Sequence, residues 1–175
     1  CASSVSGLPG SGTSTACDML CEKFGWAYVN AGQIFRELAE ESGMSLAEFG
    51  ERAEVDGRID RQLDERILVQ AKDQAPIVVE GRLTGWMASR SGLVTLKVWL
   101  AATPEVRAER VAQRESKSAA QALEELRARE GSEARRYEEF HQIDISDLSI
   151  YDVLIETDNT DPNAVVALII SRLKS

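Results

Sequence analysis

The chain has 175 residues, of which 43% are hydrophobic and 28% charged, a composition typical of one globular domain with a substantial core. Its 29 acidic residues outnumber its 20 basic residues, and the net charge of −9 argues against binding to duplex nucleic acid or to an anionic membrane. The longest apolar run, Ala164 to Ile170, is too short to span a bilayer.

The compartment can also be predicted from the sequence. The first residues lack the charged and apolar segments of a secretory leader. The three cysteines, Cys1, Cys17 and Cys21, are an odd number without metal-ligand companions, which favours free thiols in a reducing compartment. We therefore expect a cytoplasmic protein, and we expect it to be a monomer.

Short strand-like runs alternate along the chain with helical patterns. The predicted strands are Ala2–Ser6, Tyr28–Val29, Ile77–Glu80, Leu96–Ala101 and Asp152–Thr157. The predicted helix starts are marked by the pairs Asn30/Gln33, Ser45/Glu48, Thr103/Pro104, Ser118/Gln121 and Asp161/Pro162. The stretch that begins at Ser118 is expected to stay helical to about Gly131.

This alternation predicts an α/β fold in which helices cover both faces of a parallel sheet. Two largely helical excursions, 31–73 and 115–148, interrupt a core formed by 1–30, 74–114 and 149–175. Excursions beyond the strand ends of a parallel sheet are where substrates are usually bound, so we expect the site there.

The strongest motif is the glycine-rich segment from Gly7 to Thr15, which follows the first strand and opens a helix. Such a turn wraps main-chain N–H groups around a phosphate, aided by the helix N-terminus. The predicted phosphate-binding residues are Gly7, Gly10, Ser11, Gly12, Thr13, Ser14 and Thr15. The alternative is a glycine- and serine-rich turn without a ligand.

The motif departs from the P-loop pattern at one position. Gly7 and Gly12 have the P-loop spacing, but Thr13 stands where the pattern has lysine. Ser14 occupies the position of the hydroxyl that holds Mg²⁺. Glu80, at the end of an apolar strand, is a second candidate for holding Mg²⁺, the alternative being a simple strand-end carboxylate.

Arginines supply the remaining charge that a phosphoryl-transfer site needs. The candidates are Arg36, Arg82, Arg107, Arg110, Arg114, Arg129, Arg135 and Arg136. Arg36 and Arg82 lie near glycines and strand ends, which favours ligand contact. Arg107 and Arg114 are also spaced to pair with Glu105, Glu109 or Glu115 on the same helix. His141, the only histidine, is given no role because no nucleophile accompanies it.

Taken together, these motifs resemble the archaeal-type branch of the cytidylate kinase family over nearly the whole chain. The resemblance is carried by the segments 7–15, 28–39, 80–87, 132–137 and 143–152. It implies a P-loop nucleoside monophosphate kinase fold with a five-stranded parallel sheet, a nucleoside monophosphate (NMP)-binding region at 31–73 and a lid at 115–148. It also implies Mg²⁺ and ATP as the phosphoryl donor, and CMP or dCMP as the acceptor.

The resemblance implies roles for individual residues. Arg36 and Arg82, with Gly32 and Gly81 beside them, match the residues that bind the acceptor monophosphate. Arg110 matches a donor-side arginine. Arg129 and Arg136 match the paired lid arginines, with Glu133 at the acidic position between them. Thr13, Arg110, Arg129 and Arg136 are thus the catalytic candidates.

Two departures leave alternatives open. Thr13 replaces the P-loop lysine, so a nucleotide-binding module with impaired catalysis is one alternative, and a kinase for another small acceptor, similar to adenylate kinase, is a second. Leu83 stands where the bacterial branch has an aspartate that recognises the base. Cytosine must therefore be selected by other residues. The candidates, by their position in the sequence only, are Asp60, Arg61, Asp64 and Arg66.

Overall fold

The computed structural model describes residues 2–93 and 95–174, so the predicted free thiol of Cys1 lies outside the described residues. The five strands within these ranges are β1 (Ser3–Gly7), β2 (Ala27–Asn30), β3 (Ile77–Glu80), β4 (Leu96–Ala101) and β5 (Val153–Glu156). They form one sheet in the order β2-β3-β1-β4-β5, and all neighbouring strands are parallel. The predicted α/β fold is confirmed.

Helices connect the strands and cover the sheet. The helices of the described ranges are α1 (Thr13–Phe24), α2 (Ala31–Glu41), α3 (Leu46–Val55), α4 (Gly57–Asp73), α5 (Thr84–Ser91), α6 (Pro104–Glu115), α7 (Ala119–His141) and α8 (Pro162–Leu173). Between β2 and β3 lie α2, α3 and α4, and between α6 and β5 lies α7. Among the described residues, no helix combines the length and the apolarity needed to cross a membrane.

The core lies on both faces of the sheet because successive strand side chains point to opposite sides. On β3, Val78 packs into a cluster with α1 and α8, whereas Ile77 and Val79 pack into a second cluster with α2, α3 and α4. Cys17 is fully buried in the first cluster and Cys21 packs against it, both as free thiols. The two cysteines of α1 therefore serve core packing.

The predicted helix starts agree with the structure. The side chains of Asn30, Ser45, Thr103, Ser118 and Asp161 each accept a hydrogen bond from a main-chain N–H in the first turn of the helix that follows. Each cap satisfies a donor that the helix itself leaves unpaired.

The predicted end of one helix was wrong, because α7 continues through Gly131 and ends at His141. A glycine inside a helix costs only about 1 kcal/mol. Contacts on both sides of Gly131 offset that cost: Glu130 pairs with Arg107, and Arg136 pairs with Asp60. The sequence pattern around Gly131 does not contain these long-range contacts.

Candidate active site

The glycine-rich turn between β1 and α1 lies at the carboxyl edge of the parallel sheet, where α/β proteins usually bind their ligands. Gly10 and Gly12 have φ angles of +84° and +95°, which side chains rarely adopt. A Cβ atom on Gly10 would lie 2.7 Å from the main-chain oxygen of Arg107, and one on Gly7 would lie 2.3 Å from Ser11 Oγ. The glycines are thus required by close packing as well as by backbone conformation.

Three carbonyl groups of this turn accept hydrogen bonds from side chains of other elements. Arg107 Nη1 donates to Pro9 O at 3.2 Å, Arg110 Nη1 to Gly10 O at 3.0 Å and Thr157 Oγ1 to Ser11 O at 2.9 Å. No side chain caps α1 at Gly12, so its first N–H groups are available to an anion. Three side chains thus fix the conformation of an anion-binding turn.

Arg107 pairs with Glu130 of α7 and not with Glu105, Glu109 or Glu115, the alternative that the sequence left open. It is 4% exposed and forms an ion pair with Glu130 of α7, while its Nε donates to Ala102 O at 3.1 Å. Burial requires a guanidinium to have partners for its charge and its donors. Arg107 thereby links the phosphate turn to α7, and nothing in the local sequence indicates this.

Glu80 is the carboxylate of this site, and it is 4% exposed. Its Oε2 accepts hydrogen bonds from Thr13 Oγ1 at 2.5 Å and Ser14 Oγ at 3.0 Å. Its Oε1 accepts from Asn30 Nδ2 at 2.6 Å and from the Tyr28 hydroxyl. The hydroxyl at the P-loop lysine position is therefore bonded to an acid at the end of β3.

The oxygen atoms of Ser14 and Glu80 fit a magnesium ion. Mg²⁺ prefers oxygen ligands and is usually held by one or two carboxylates together with substrate phosphates and water. Within the described ranges, no three His, Cys, Asp or Glu residues cluster to form a metal site of their own. Burial and the hydrogen bond to Glu80 raise the pKa of Tyr28 above its ordinary value, so this phenol remains a donor to the carboxylate.

Two cavities meet at this site. The phosphate-loop cavity, of about 550 Å³, is lined by the turn, Glu80 and five arginines: Arg36, Arg82, Arg110, Arg114 and Arg129. The helical cavity, of about 670 Å³, lies between α2, α3 and α4 on one side and α7 on the other. Ala31, Gly32, Arg82 and Arg129 line both cavities, which places two guanidinium groups where they join.

Most of the predicted site residues lie together around the phosphate-loop cavity. Its lining includes Gly7, Gly10, Gly12, Thr13, Ser14, Thr15, Gly32, Arg36, Glu80, Gly81, Arg82, Arg110 and Arg129. Ser11 is 1% exposed and lies beneath the turn. Arg136 instead lines the helical cavity, where its Nε lies 3.1 Å from Asp60 Oδ2. Of the two predicted lid arginines, Arg129 thus lines both cavities, whereas Arg136 lines the helical cavity.

Glu133 connects the arginines of the two sides. One carboxylate oxygen lies 3.0 Å from Arg82 Nε and the other accepts a hydrogen bond from Arg129 Nε at 3.1 Å. Glu133 therefore balances the charge of one arginine beside β3 and one on α7, at the junction of the cavities.

At the far side of the helical cavity lies a second acidic group. Asp60 is 2% exposed, and its Oδ2 lies 3.1 Å from Arg136 Nε and 3.3 Å from His141 Nε2. Asp64 follows one turn later on α4 and lines the same cavity. Burial raises the pKa of Asp64 to about 6; the nearby His141 opposes the shift and Asp60 adds to it. The sequence assigned no role to His141 because no nucleophile accompanies it, and its partner Asp60 is 81 positions away.

Comparison with known proteins identifies the family to which this chain is similar. Residues 4–159 match the model of the cytidylate kinase-like family. The cytidylate kinase of Methanobrevibacter smithii is 46% identical over 170 residues, which cover 97% of this chain and 96% of that protein. The cytidylate kinase of Pyrococcus abyssi is 47% identical over 165 residues, which cover 94% of this chain and 89% of that protein.

Solved structures support the fold at lower sequence identity. An uncharacterized protein from Eubacterium ventriosum has a TM-score of 0.73 at 17% identity, over 98% of this chain and 97% of its own. Shikimate kinase from Bacteroides thetaiotaomicron has a TM-score of 0.63 at 13% identity, over 98% and 97% of the two chains. With the family model matching most of its length, and with close relatives along nearly all of it, the chain belongs to the cytidylate kinase-like family.

Proposed function

We propose that this protein is a cytidylate kinase that transfers the γ-phosphoryl group of ATP to CMP or dCMP, giving ADP and CDP or dCDP. The observation that supports this most directly is the junction of the two cavities. Arg36 and Arg82 line the phosphate-loop cavity, and Arg82 also lines the helical cavity beside it. A donor on the phosphate turn and an acceptor in the helical cavity would bring their phosphates together at these arginines.

The donor side would be formed by the turn from Gly7 to Thr15. Its main-chain N–H groups would bind the β-phosphate, and Arg110 would contribute charge from α6. Ser14, with Glu80 behind it, would hold Mg²⁺, which supplies positive charge to the phosphates when it is bound. Phosphoryl transfer in line between two bound nucleotides needs no covalent enzyme intermediate, so the residues act by positioning and charge stabilisation.

The acceptor side would be formed by α2 and the end of β3. Arg36 lies in the middle of α2, and Arg82 follows β3. A Cβ atom on Gly81 would lie 2.7 Å from the Cβ of Ala31, so glycine lets the end of β3 pack against the start of α2. This packing would keep both arginines on one monophosphate.

Segments 31–73 and 115–148 would act as the NMP-binding region and the lid. Arg129 and Arg136 on α7 would approach the nucleotides and, together with closure of α7, exclude water. Arg129 lines the phosphate-loop cavity and supports this role most clearly. Arg136 lines the helical cavity and would act on the acceptor nucleotide.

The direct test is ADP formation with ATP, Mg²⁺ and a panel of CMP, dCMP, UMP and AMP. We expect the highest kcat/KM with CMP or dCMP. A preference for AMP would favour an adenylate kinase-like enzyme, and a preference for UMP would also overturn the proposed acceptor.

A nucleotide-binding module with impaired catalysis is the alternative that Thr13 raises. The bond from Thr13 Oγ1 to Glu80 is the specific observation behind it, since the group at the lysine position is engaged with an acid. This alternative predicts ATP binding without acceptor-dependent ADP release. A large rate increase in Thr13→Lys would show that the natural residue limits transfer, whereas an unchanged or lower rate would argue that threonine suits this site.

A further inference from the structure

The helical cavity has apolar walls, and six carboxylates also line it: Glu51, Glu54, Asp60, Asp64, Glu125 and Glu133. Phe35, Leu63, Ile67 and Leu83 line it with hydrocarbon, which suits the faces of a flat ring. Asp60 and Asp64, on successive turns of α4, line it as well. Three arginines and His141 line the cavity as well. Apolar walls combined with placed polar groups are typical of a specific small-molecule site.

The two aspartates differ in what they contact. Asp60 is held through Oδ2 by Arg136 and His141 of α7. Asp64 is half-buried, with His141 and Asp60 as charged neighbours, and within residues 2–93 and 95–174 its carboxylate forms no ion pair or hydrogen bond. A half-buried carboxylate beside apolar side chains is costly to keep charged unless a donor reaches it. The missing donor is most simply supplied by a ligand in the cavity.

Asp64 and Leu83 both line the helical cavity and a smaller cavity of about 250 Å³. Leu83 follows β3 and offers no hydrogen-bonding group. Asp64, which lines the same two cavities as Leu83, is a carboxylate carried by α4. The polar contact to the ligand would therefore be made by a different element of the fold.

We propose that Asp64 selects the acceptor base by accepting a hydrogen bond from the exocyclic 4-amino group of cytosine. This inference rests on the proposed function, because it takes the acceptor to be a pyrimidine monophosphate with its phosphate at Arg36 and Arg82. The apolar walls then bind the ring faces of either pyrimidine, and Asp64 distinguishes them by their edges.

The hydrogen-bonding groups of the two bases explain why cytosine would be preferred over uracil. Cytosine presents an N–H₂ donor at C4, which a carboxylate accepts, whereas uracil presents a carbonyl oxygen there. Two acceptors facing each other repel and leave the half-buried carboxylate without a donor. Sites built to hydrogen-bond a substrate N–H discriminate strongly against an analogue that lacks it. UMP is therefore expected to bind poorly.

The test compares CMP with UMP in the wild type and in Asp64→Asn. An asparagine side chain can turn its N–H₂ group toward the uracil carbonyl, so the variant should lose selectivity rather than binding as a whole. We expect the CMP/UMP ratio of kcat/KM to fall by about tenfold or more, corresponding to about 1–3 kcal/mol of discrimination per base contact. Calorimetric titration of each monophosphate, without ATP, should show the same change in affinity ratio.

Glu65→Gln is the matched control, since it removes a carboxylate at an exposed neighbouring position of α4. Its CMP/UMP ratio should stay at the wild-type value. If Asp64→Asn fails to fold, as judged by circular dichroism and thermal unfolding, Asp64→Ser provides a smaller side chain with both a donor and an acceptor, and the same loss of selectivity is expected.

The results separate this inference from the proposed function. If the wild type phosphorylates no pyrimidine monophosphate, the proposed function is wrong, and the inference with it. If the wild type prefers CMP while Asp64→Asn and Asp64→Ser keep the full preference, the function stands and Asp64 is not the selecting residue.

Discussion

Asn30 joins the start of α2 to the carboxylate of Glu80. Its Oδ1 accepts from the main-chain N–H of Gln33 at 3.0 Å, which caps α2, while its Nδ2 donates to Glu80 Oε1 at 2.6 Å. One side-chain amide thus connects the helix that carries Arg36 with the acid proposed to lie behind Mg²⁺. The position of the acceptor-binding helix and that of the metal-side carboxylate are fixed together.

This relationship predicts that Asn30→Ala impairs activity as well as stability. Loss of the cap should cost about 1 kcal/mol of unfolding free energy. Loss of the donor to Glu80 should also let the carboxylate move, and we expect kcat/KM to fall by about tenfold, the equivalent of about 1.4 kcal/mol. Urea unfolding and steady-state kinetics over a Mg²⁺ titration would measure the two effects.

Ser45→Ala separates the two contributions. Ser45 caps α3 within a capping box with Glu48, and it makes no contact with Glu80. This variant should lose a similar amount of stability while keeping its kinetics. Equal kinetic losses in Asn30→Ala and Ser45→Ala would mean that the link from Asn30 to Glu80 has no part in activity.

Arg107 is expected to be important for stability because its charge is buried. Arg107→Met would leave Glu130 without its partner and Pro9 O without its donor. Removing one partner of a buried ion pair typically costs about 3–5 kcal/mol, and Glu130 is partly exposed, so we expect about 3 kcal/mol. Chemical denaturation measures this loss, and the ATP affinity should weaken because the phosphate turn loses a support.

Two further variants test whether the loss of stability in Arg107→Met comes from the unpaired charge of Glu130. Arg107→Met combined with Glu130→Leu should recover part of the stability, since no unpaired charge remains. Lys117→Met, which breaks the surface ion pairs with Glu115 and Glu125, should have a much smaller effect. A loss for Arg107→Met as small as that for Lys117→Met would contradict the structural role given to the buried pair.

The sequence predicts features that depend on neighbouring residues. The helix caps at Asn30 and Ser45, and the glycines at positions 7 and 12, are recognisable because each acts within a few residues. The bond between Glu80 and Thr13 spans 67 positions, and that between Asp60 and His141 spans 81. Such contacts follow from strand order and helix packing, which local patterns do not encode.

The strand order itself explains why the site assembles. β1 lies between β3 and β4 in the sheet, so the turn after β1 is flanked by Glu80 at the end of β3 and by α6 after β4. Alternation of strands and helices predicts a parallel sheet but does not give this order. The partners of Arg107 and Arg110 were therefore beyond the reach of sequence patterns.

Gly10 should be intolerant of a side chain for a reason that Gly43 does not share. Both residues have positive φ angles, +84° and +68°, so alanine at either should cost about 1–2 kcal/mol of backbone strain. At Gly10 the new Cβ would also lie 2.7 Å from Arg107 O, whereas nothing lies within 4 Å at Gly43. Gly10→Ala should therefore distort the phosphate turn, and Gly43→Ala should not.

The measurement is the ATP dissociation constant, with thermal unfolding recorded in parallel. We expect Gly10→Ala to weaken ATP binding by about tenfold or more, an effect of about 1.4 kcal/mol. Gly43→Ala should lower stability and leave ATP binding at the wild-type level. Wild-type ATP affinity in a folded Gly10→Ala protein would mean that this turn does not bind the nucleotide.

Asp64 should make the stability of the protein fall as the pH rises. Burial raises its pKa from the model-peptide value of 3.8 to about 6 in the folded protein, so between these values the folded state binds more protons than the unfolded state. The resulting stability is fully present below about pH 4 and is lost as the pH passes through about 6. Above pH 6 the charged, half-buried carboxylate destabilises the fold.

Asp64→Asn removes this dependence, because the amide does not ionise. At pH 7.5 the variant should be more stable than the wild type by about 1–3 kcal/mol, since a shift of one pKa unit corresponds to about 1.4 kcal/mol. The difference should shrink toward zero near pH 4. Urea unfolding of both proteins between pH 4 and 8, without nucleotide, would measure this stability difference. Glu65→Gln is the control, because it also removes one negative charge from α4. The stability difference between Asp64→Asn and the wild type could instead be the same at pH 4 and pH 7.5. The Asp64 carboxyl group would then not be desolvated in the folded protein. A ligand that donates a hydrogen bond to Asp64 would then have no desolvation cost to relieve.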